Sequence, residues 1–205
     1  MENFFKIRAE KQEHIINAAL VVFGRLGYKK ASIADIAKEA GTTKGMITYY
    51  FGSKKNLYYY LMEVVQDKFS RAIVEQISQD TTDLFERFRL LTNMQSIVVK
   101  EHPAMFNFAK SVFYETEPDI VEDIRGGYAA EFDRFSQIML DGADLSKFKP
   151  GFDPHLVFRL STWASNGLMG EVYDIGVTDN AYALVGEFLK CLDMMQQAFY
   201  KPEYL

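Results

Sequence analysis

Apolar residues return at three- and four-residue intervals along almost the whole chain, and no apolar–polar alternation is sustained. A period near 3.6 fits helices with one buried stripe and does not fit half-buried strands. The chain is therefore expected to be all-α. In the first segment, about Lys6 to Leu26, Ile15, Ala19, Val22, Phe23 and Leu26 share one stripe, and Gly27 is expected to stop it. A short helix follows Ser32, an N-cap with Asp35 at the third helical position, and ends at Gly41. A second short helix runs from Thr43 to about Tyr50. A long one begins after Ser53 and reaches about Ser78.

Further helices are expected from about Asp83 to Lys100, from Pro103, from Pro118, from Pro154 to Ile175 and from Asp179 to Tyr200. Proline is tolerated in a first turn and not in an interior. Gly126-Gly127 should interrupt the helix that Pro118 opens, and Asp141 to Phe152 reads as a loop. The total is about nine helices. The character changes near residue 55, so residues 1–52 are expected to form a small module and residues 53–205 a larger helical body.

A chain of 205 residues can bury a sizeable core without staples. Its one cysteine, Cys191, excludes an intrachain disulfide and suggests a reducing cytoplasm; a buried thiol is expected. Met1 to Lys11 is mostly charged, and the longest uncharged run of the C-terminal half, Leu160 to Gly170, has 11 residues. Secreted and membrane-spanning readings are set aside on those grounds. The net charge of −5 hides an asymmetry. Residues 1–60 hold 10 Lys and Arg against 5 Asp and Glu, leaving the remainder at −10. A basic head on an acidic body suggests that the head meets a polyanion.

The informative stretch is Ala31 to Leu57, ASIADIAKEAGTTKGMITYYFGSKKNL. Two short helices joined by a turn containing Gly41 make a helix-turn-helix pattern. On the second helix, Met46, Ile47, Tyr50 and Phe51 share an arc that can pack on Ile33, Ile36, Ala37 and Ala40. The opposite arc carries Lys44, Gly45, Thr48 and Tyr49. It presents a cation, a hydroxyl, a phenol and bare backbone, which suit phosphate and base-edge contact.

This stretch strongly resembles the DNA-binding region of TetR-type transcriptional regulators. The matching positions are Ser32, Ile33, Ile36, Ala37, Ala40, Gly41, Thr43, Gly45, Ile47, Tyr49, Phe51, Lys54 and Leu57, with Phe23 and Gly27-Tyr28 upstream. Thr48 departs from the pattern, where an aromatic residue is usual. The resemblance implies a three-helix DNA-binding head and a helical ligand-binding and dimerisation domain. It also implies that Lys54 touches the DNA backbone. The expected DNA-contacting residues are Ser32, Thr42, Thr43, Lys44, Gly45, Thr48, Tyr49 and Lys54. Tyr50 is assigned to the core, and the Tyr58-Tyr59-Tyr60 run to packing between domains.

His14, His102 and His155 share no metal-ligand spacing, and the sequence carries no phosphate loop or nucleophile elbow. No cofactor, metal or enzyme activity is expected. In the body, Met62, Phe69, Phe88, Met94, Phe106, Phe113, Tyr128 and Trp163, with His102 and Asn166 as polar groups, are candidates for an apolar ligand pocket; ordinary core is the other reading of each aromatic. In the last two helices, Leu160, Ala164, Leu168, Leu184, Phe188, Leu192 and Met195 are expected to form a homodimer interface, while Leu156, Trp163 and Gly167 make a second stripe. The function expected is a cytoplasmic, ligand-responsive regulator, a repressor that binds palindromic operator DNA as a homodimer and is released by a small apolar inducer. The alternative is a helical ligand- or protein-binding module without DNA binding.

Overall fold

The computed structural model of the chain describes residues 1–77, 81–175 and 179–205, with the side chains of 73–76, 98, 99, 128–131, 175 and 179–182 outside the description. Among the described residues the fold is all-α, with nine helices in chain order: α1 (Ala9–Lys30), α2 (Ile33–Glu39), α3 (Lys44–Phe51), α4 (Lys54–Gln76), α5 (Leu84–Glu101), α6 (Pro103–Phe113), α7 (Pro118–Leu140), α8 (Pro154–Ile175) and α9 (Asp179–Phe199). No helix among them is long and apolar enough to cross a membrane.

Most helix starts follow from side chains that satisfy the first free N–H groups. Ser32 and Asp35 close a reciprocal capping box on α2, and Thr43 Oγ1 accepts from the Met46 N–H on α3. Ser53 caps α4 through the Asn56 N–H, Asp83 caps α5 through Glu86, and Asp153 accepts from His155 at the start of α8. Pro103 and Pro118 open α6 and α7 as expected. Two glycine expectations are corrected. Gly27 breaks the helical path with φ 69° and ψ 172°, yet the chain resumes a helical turn and α1 ends at Lys30. Gly126-Gly127 does not interrupt α7, which runs through both, and neither position is crowded.

By packing, the chain divides into two compact units, residues 1–70 with 101–128, and residues 71–100 with 129–205. This differs from the functional boundary placed at residues 52 and 53, because the small helices share their core with the start of α4 and with α6. In the first unit, Phe23, Tyr58 and Phe108 meet edge-on, with ring centroids 5.0 Å apart for Phe23–Tyr58 and 5.2 Å for Tyr58–Phe108. The backbones of α1 and α6 abut at Gly24, where an added Cβ would lie 2.9 Å from the backbone of Asn107 and Phe108. In the second unit, Phe85, Phe148 and Tyr200 form one aromatic group and Phe88, Phe132, Phe135 and Phe158 another. There the buried Arg87 guanidinium donates to the carbonyls of Thr81 (2.6 Å), Met139 (2.9 Å) and Asp141 (2.7 Å). It thereby closes the carbonyl end of α7, a favourable place for a cation.

Candidate nucleic-acid interface

Helices α2 and α3 are held at a fixed angle by the turn between them. Ala40 N–H donates to Ile36 O (2.9 Å), Gly41 N–H to Lys38 O (3.2 Å) and Thr42 N–H to Ala37 O (2.9 Å). Ile36, Ala37 and Ala40 of this corner are buried, and so are Ile47, Tyr50 and Phe51 of α3. The wheel drawn from sequence is thus reproduced: one arc of α3 faces the core of its own unit and the other faces outward. Thr43, Lys44, Gly45, Thr48 and Tyr49 are exposed, with Tyr49 at 62%. Met46, assigned inward, is half-buried at the edge.

Lys44 occupies the first position of α3, where the helix dipole disfavours a cation. An external phosphate would offset that. Thr42 is half-buried. Ser32 is half-buried too, and its hydroxyl is engaged: Oγ donates to Asp35 Oδ2 (2.6 Å) and accepts from the Asp35 N–H (3.1 Å). The bonds from Ser32 hold the Asp35 carboxyl below its usual range.

Lys54 stands differently from the expectation. Its ammonium donates to the carbonyls of Tyr28 (2.8 Å) and Ala31 (3.1 Å) and lies 4.3 Å from the centre of the Tyr28 ring. Those carbonyls belong to the corner between α1 and α2, so Lys54 ties that corner to α4 instead of standing free at the surface. Sequence reasoning missed this because the acceptors are backbone atoms more than 20 residues away. Lys55 is also engaged, donating to Asp119 O (2.7 Å) and pairing with Asp123 (3.2 Å), which also accepts from the Tyr59 hydroxyl. Lys29 pairs with Glu117 at 2.8 Å. Sequence reasoning also missed Phe4, which lies in a charged N-terminal segment and is nevertheless fully buried.

The body candidates scatter. Met62 and Phe69 are half-buried against the core of the first unit, and Phe106 is buried in that unit. Phe88 and Met94 are buried in the second unit. Four candidates are corrected as interior pocket residues: Phe113 and Trp163 are exposed, the latter at 58%, and so are His102 and Asn166. The side chain of Tyr128 lies outside the described residues.

For the interface, Leu160 is exposed, and Ala164, Leu168, Leu184 and Met195 are half-buried. Phe188 and Leu192 are corrected. Both are buried inside one copy of the chain, Leu192 at 0% exposure, so they fill the protomer's core. Val157 and Val172 also face inward, whereas Leu156, Leu160 and Trp163 of α8 and Met194 of α9 face out. Cys191 is exposed instead of buried. Of the tyrosine run, Tyr58 is core, Tyr59 bonds Asp123 and Tyr60 joins the cluster around Phe4.

Residues 15–61 match the sequence model of bacterial regulatory proteins of the tetR family. The chain is 35% identical over 72 residues to the HTH-type transcriptional regulator HbdR of Aromatoleum sp. (strain CIB), covering 35% of this chain and 31% of HbdR. It is 36% identical over 73 residues to the HTH-type transcriptional regulator BetI of Vibrio campbellii, covering 36% of this chain and 37% of BetI. Each match thus spans about a third of the relative's length. In fold the likeness extends to the whole chain. SmeT, the repressor of the Stenotrophomonas maltophilia multidrug efflux pump SmeDEF, solved as a complex with triclosan, superposes with a TM-score of 0.75. The sequence identity is 19%, over 94% of this chain and 93% of that one.

Proposed function

Because the chain belongs to the TetR family of bacterial regulatory proteins, we propose that it is a ligand-responsive transcriptional repressor that binds palindromic operator DNA as a homodimer in the cytoplasm. One observation carries this reading: the exposed arc of Thr43, Lys44, Gly45, Thr48 and Tyr49 on a short helix whose other arc buries Ile47, Tyr50 and Phe51. A helix held this way can enter a major groove and bring Lys44, Thr48 and Tyr49 to phosphates and base edges, with Gly45 permitting close approach. Thr42 and Thr43 lead into that helix, and Ser32 caps α2. Lys54 serves the contact indirectly, by holding the corner before α2.

A two-fold dimer reads two half-sites one helical turn apart, and from this follows the palindrome. The proposed interface is the exposed apolar stripe Leu156, Leu160 and Trp163 of α8 with Met194 of α9. Such a patch on a lone chain suggests a partner surface. The proposed effector is a small apolar compound, neutral or cationic, in keeping with the acidic body and with the triclosan that SmeT binds. Met62, Phe69 and Phe106 are its proposed neighbours. An effector beside Met62 would act on α4, which follows α3 after two residues, and could shift DNA binding only through its unequal affinity for the two states.

The second reading, a helical module without DNA binding, is favoured by the engagement of the Lys54 ammonium inside the protein. Selection from a pool of random duplexes separates the two. Enrichment of a palindromic consensus supports the repressor; recovery of no consensus supports the module.

A further inference from the structure

Residues 1–8 precede the family-matched stretch, 15–61. They form a hydrogen-bonded turn: the Phe4 N–H donates to Met1 O (2.8 Å), the Ile7 N–H to Phe4 O (3.4 Å), and Gln12 Nε2 donates to Ile7 O (2.8 Å). The turn places Phe4 with no exposed surface while leaving its neighbour Phe5 exposed. The Phe4 ring lies 4.7 Å from Phe51 and 5.7 Å from Tyr50, both on α3, and 5.8 Å from Tyr60 on α4. Tyr50 in turn meets Tyr49 of the outward arc at 5.7 Å.

Only Gly52 and Ser53 join α3 to α4. A two-residue connection restricts two helices to a few arrangements, and side chains packed on both select among them. Phe4 is packed on both helices at once, at separations and tilts that favour aromatic pairs. We infer that Phe4 is a positioning residue of the recognition helix: it holds α3 at its angle to α4, so that DNA affinity depends on a side chain that touches no DNA. This rests on the reading of α3 as a DNA-binding helix.

The test uses the full chain and its Phe4→Ala, Phe4→Leu and Phe5→Ala variants, titrated with the selected duplex over a salt series. The temperature is one at which circular dichroism shows each protein folded. Phe4→Ala is expected to bind at least about tenfold more weakly with an unchanged slope of log affinity against log salt, since no phosphate contact is lost. Phe4→Leu restores most of the affinity, and Phe5→Ala matches the wild type. In the free proteins, Phe4→Ala moves the amide resonances of Thr48 and Tyr49 and leaves those of Ile33–Glu39 in place. Wild-type affinity in folded Phe4→Ala overturns the inference. A reduced salt slope also overturns it, by making the segment a phosphate contact. If Phe4→Ala does not fold, Phe4→Leu against Phe4→Val carries the same comparison. A wild-type chain that binds no duplex fails the DNA-binding reading itself, and the amide shifts then decide by themselves whether Phe4 positions α3.

Discussion

Helices α2 and α3 and helices α8 and α9 present the same kind of sequence, amphipathic with apolar residues at three- and four-residue spacing, but they resolve it differently. In α2–α3 the two short stripes pack on each other, Phe4 and Tyr60 complete the cover of α3, and the opposite arc is polar and exposed. In α8–α9 there are more apolar residues than one core can cover. Val157, Val172, Phe188 and Leu192 go inside, and Leu156, Leu160, Trp163 and Met194 stay outside. Periodicity reports that a stripe exists. It does not report what covers it, and only where the partner is local can the two be read together.

The sharpest way to break that comparison is to put a charge on each face of α8–α9. Leu192→Glu should destabilise the protein by more than about 3 kcal/mol, since an unpaired carboxylate would enter a closed core. Leu156→Glu with Trp163→Glu should leave the fold intact and yield monomers in sedimentation. Thermal melting and sedimentation on both variants decide it. A folded monomer from Leu192→Glu would return that residue to the interface.

Gly24→Ala comes next, at about 1–3 kcal/mol, because its methyl would press on the backbone of α6, which cannot move aside as a side chain can. Chemical denaturation measures it. A neutral substitution would show that α1 and α6 are not in backbone contact.

Lys54→Met tests the head from inside. Loss of two hydrogen bonds from a charged donor should cost about 1–3 kcal/mol of stability. Its duplex affinity should fall with no change in salt slope. A slope smaller by about one unit would instead make Lys54 a direct phosphate contact.

The smallest effect belongs to the exposed pair Lys55–Asp123. The Tyr59 hydroxyl and Lys55 hold the Asp123 carboxyl below its usual range. A group depressed in the folded state stabilises it above the unfolded value, near pH ~4, and that stabilisation is lost as pH falls through the folded value. Asp123→Asn should therefore reduce stability slightly at neutral pH and flatten the acid limb of a pH–stability curve. An unchanged curve would mean that the pair is merely solvated charge.

Much of the fold was legible because its signals are local. Ser32 with Asp35, Thr43, Ser53 and Asp153 each cap a helix through a residue two or three positions on, and Pro103 and Pro118 mark first turns. The outward arc was legible for the same reason. Phe4, the ties of Lys54 and the clamp of Arg87 were not, since each joins residues far apart in sequence, and a carbonyl acceptor leaves no trace in residue type. Gly126-Gly127 shows the opposite error. Glycine weakens a helix without ending it when flanking turns supply the hydrogen bonds.

The most direct test of the central claim is an amide-shift titration of the full-length chain, labelled with nitrogen-15, with the duplex taken from the selection. The largest perturbations are expected at Thr43–Tyr49, with smaller ones at Ser32 and Thr42 and none above background along α8. Saturating binding that leaves Thr43–Tyr49 unmoved would contradict the assignment of α3 as the recognition helix.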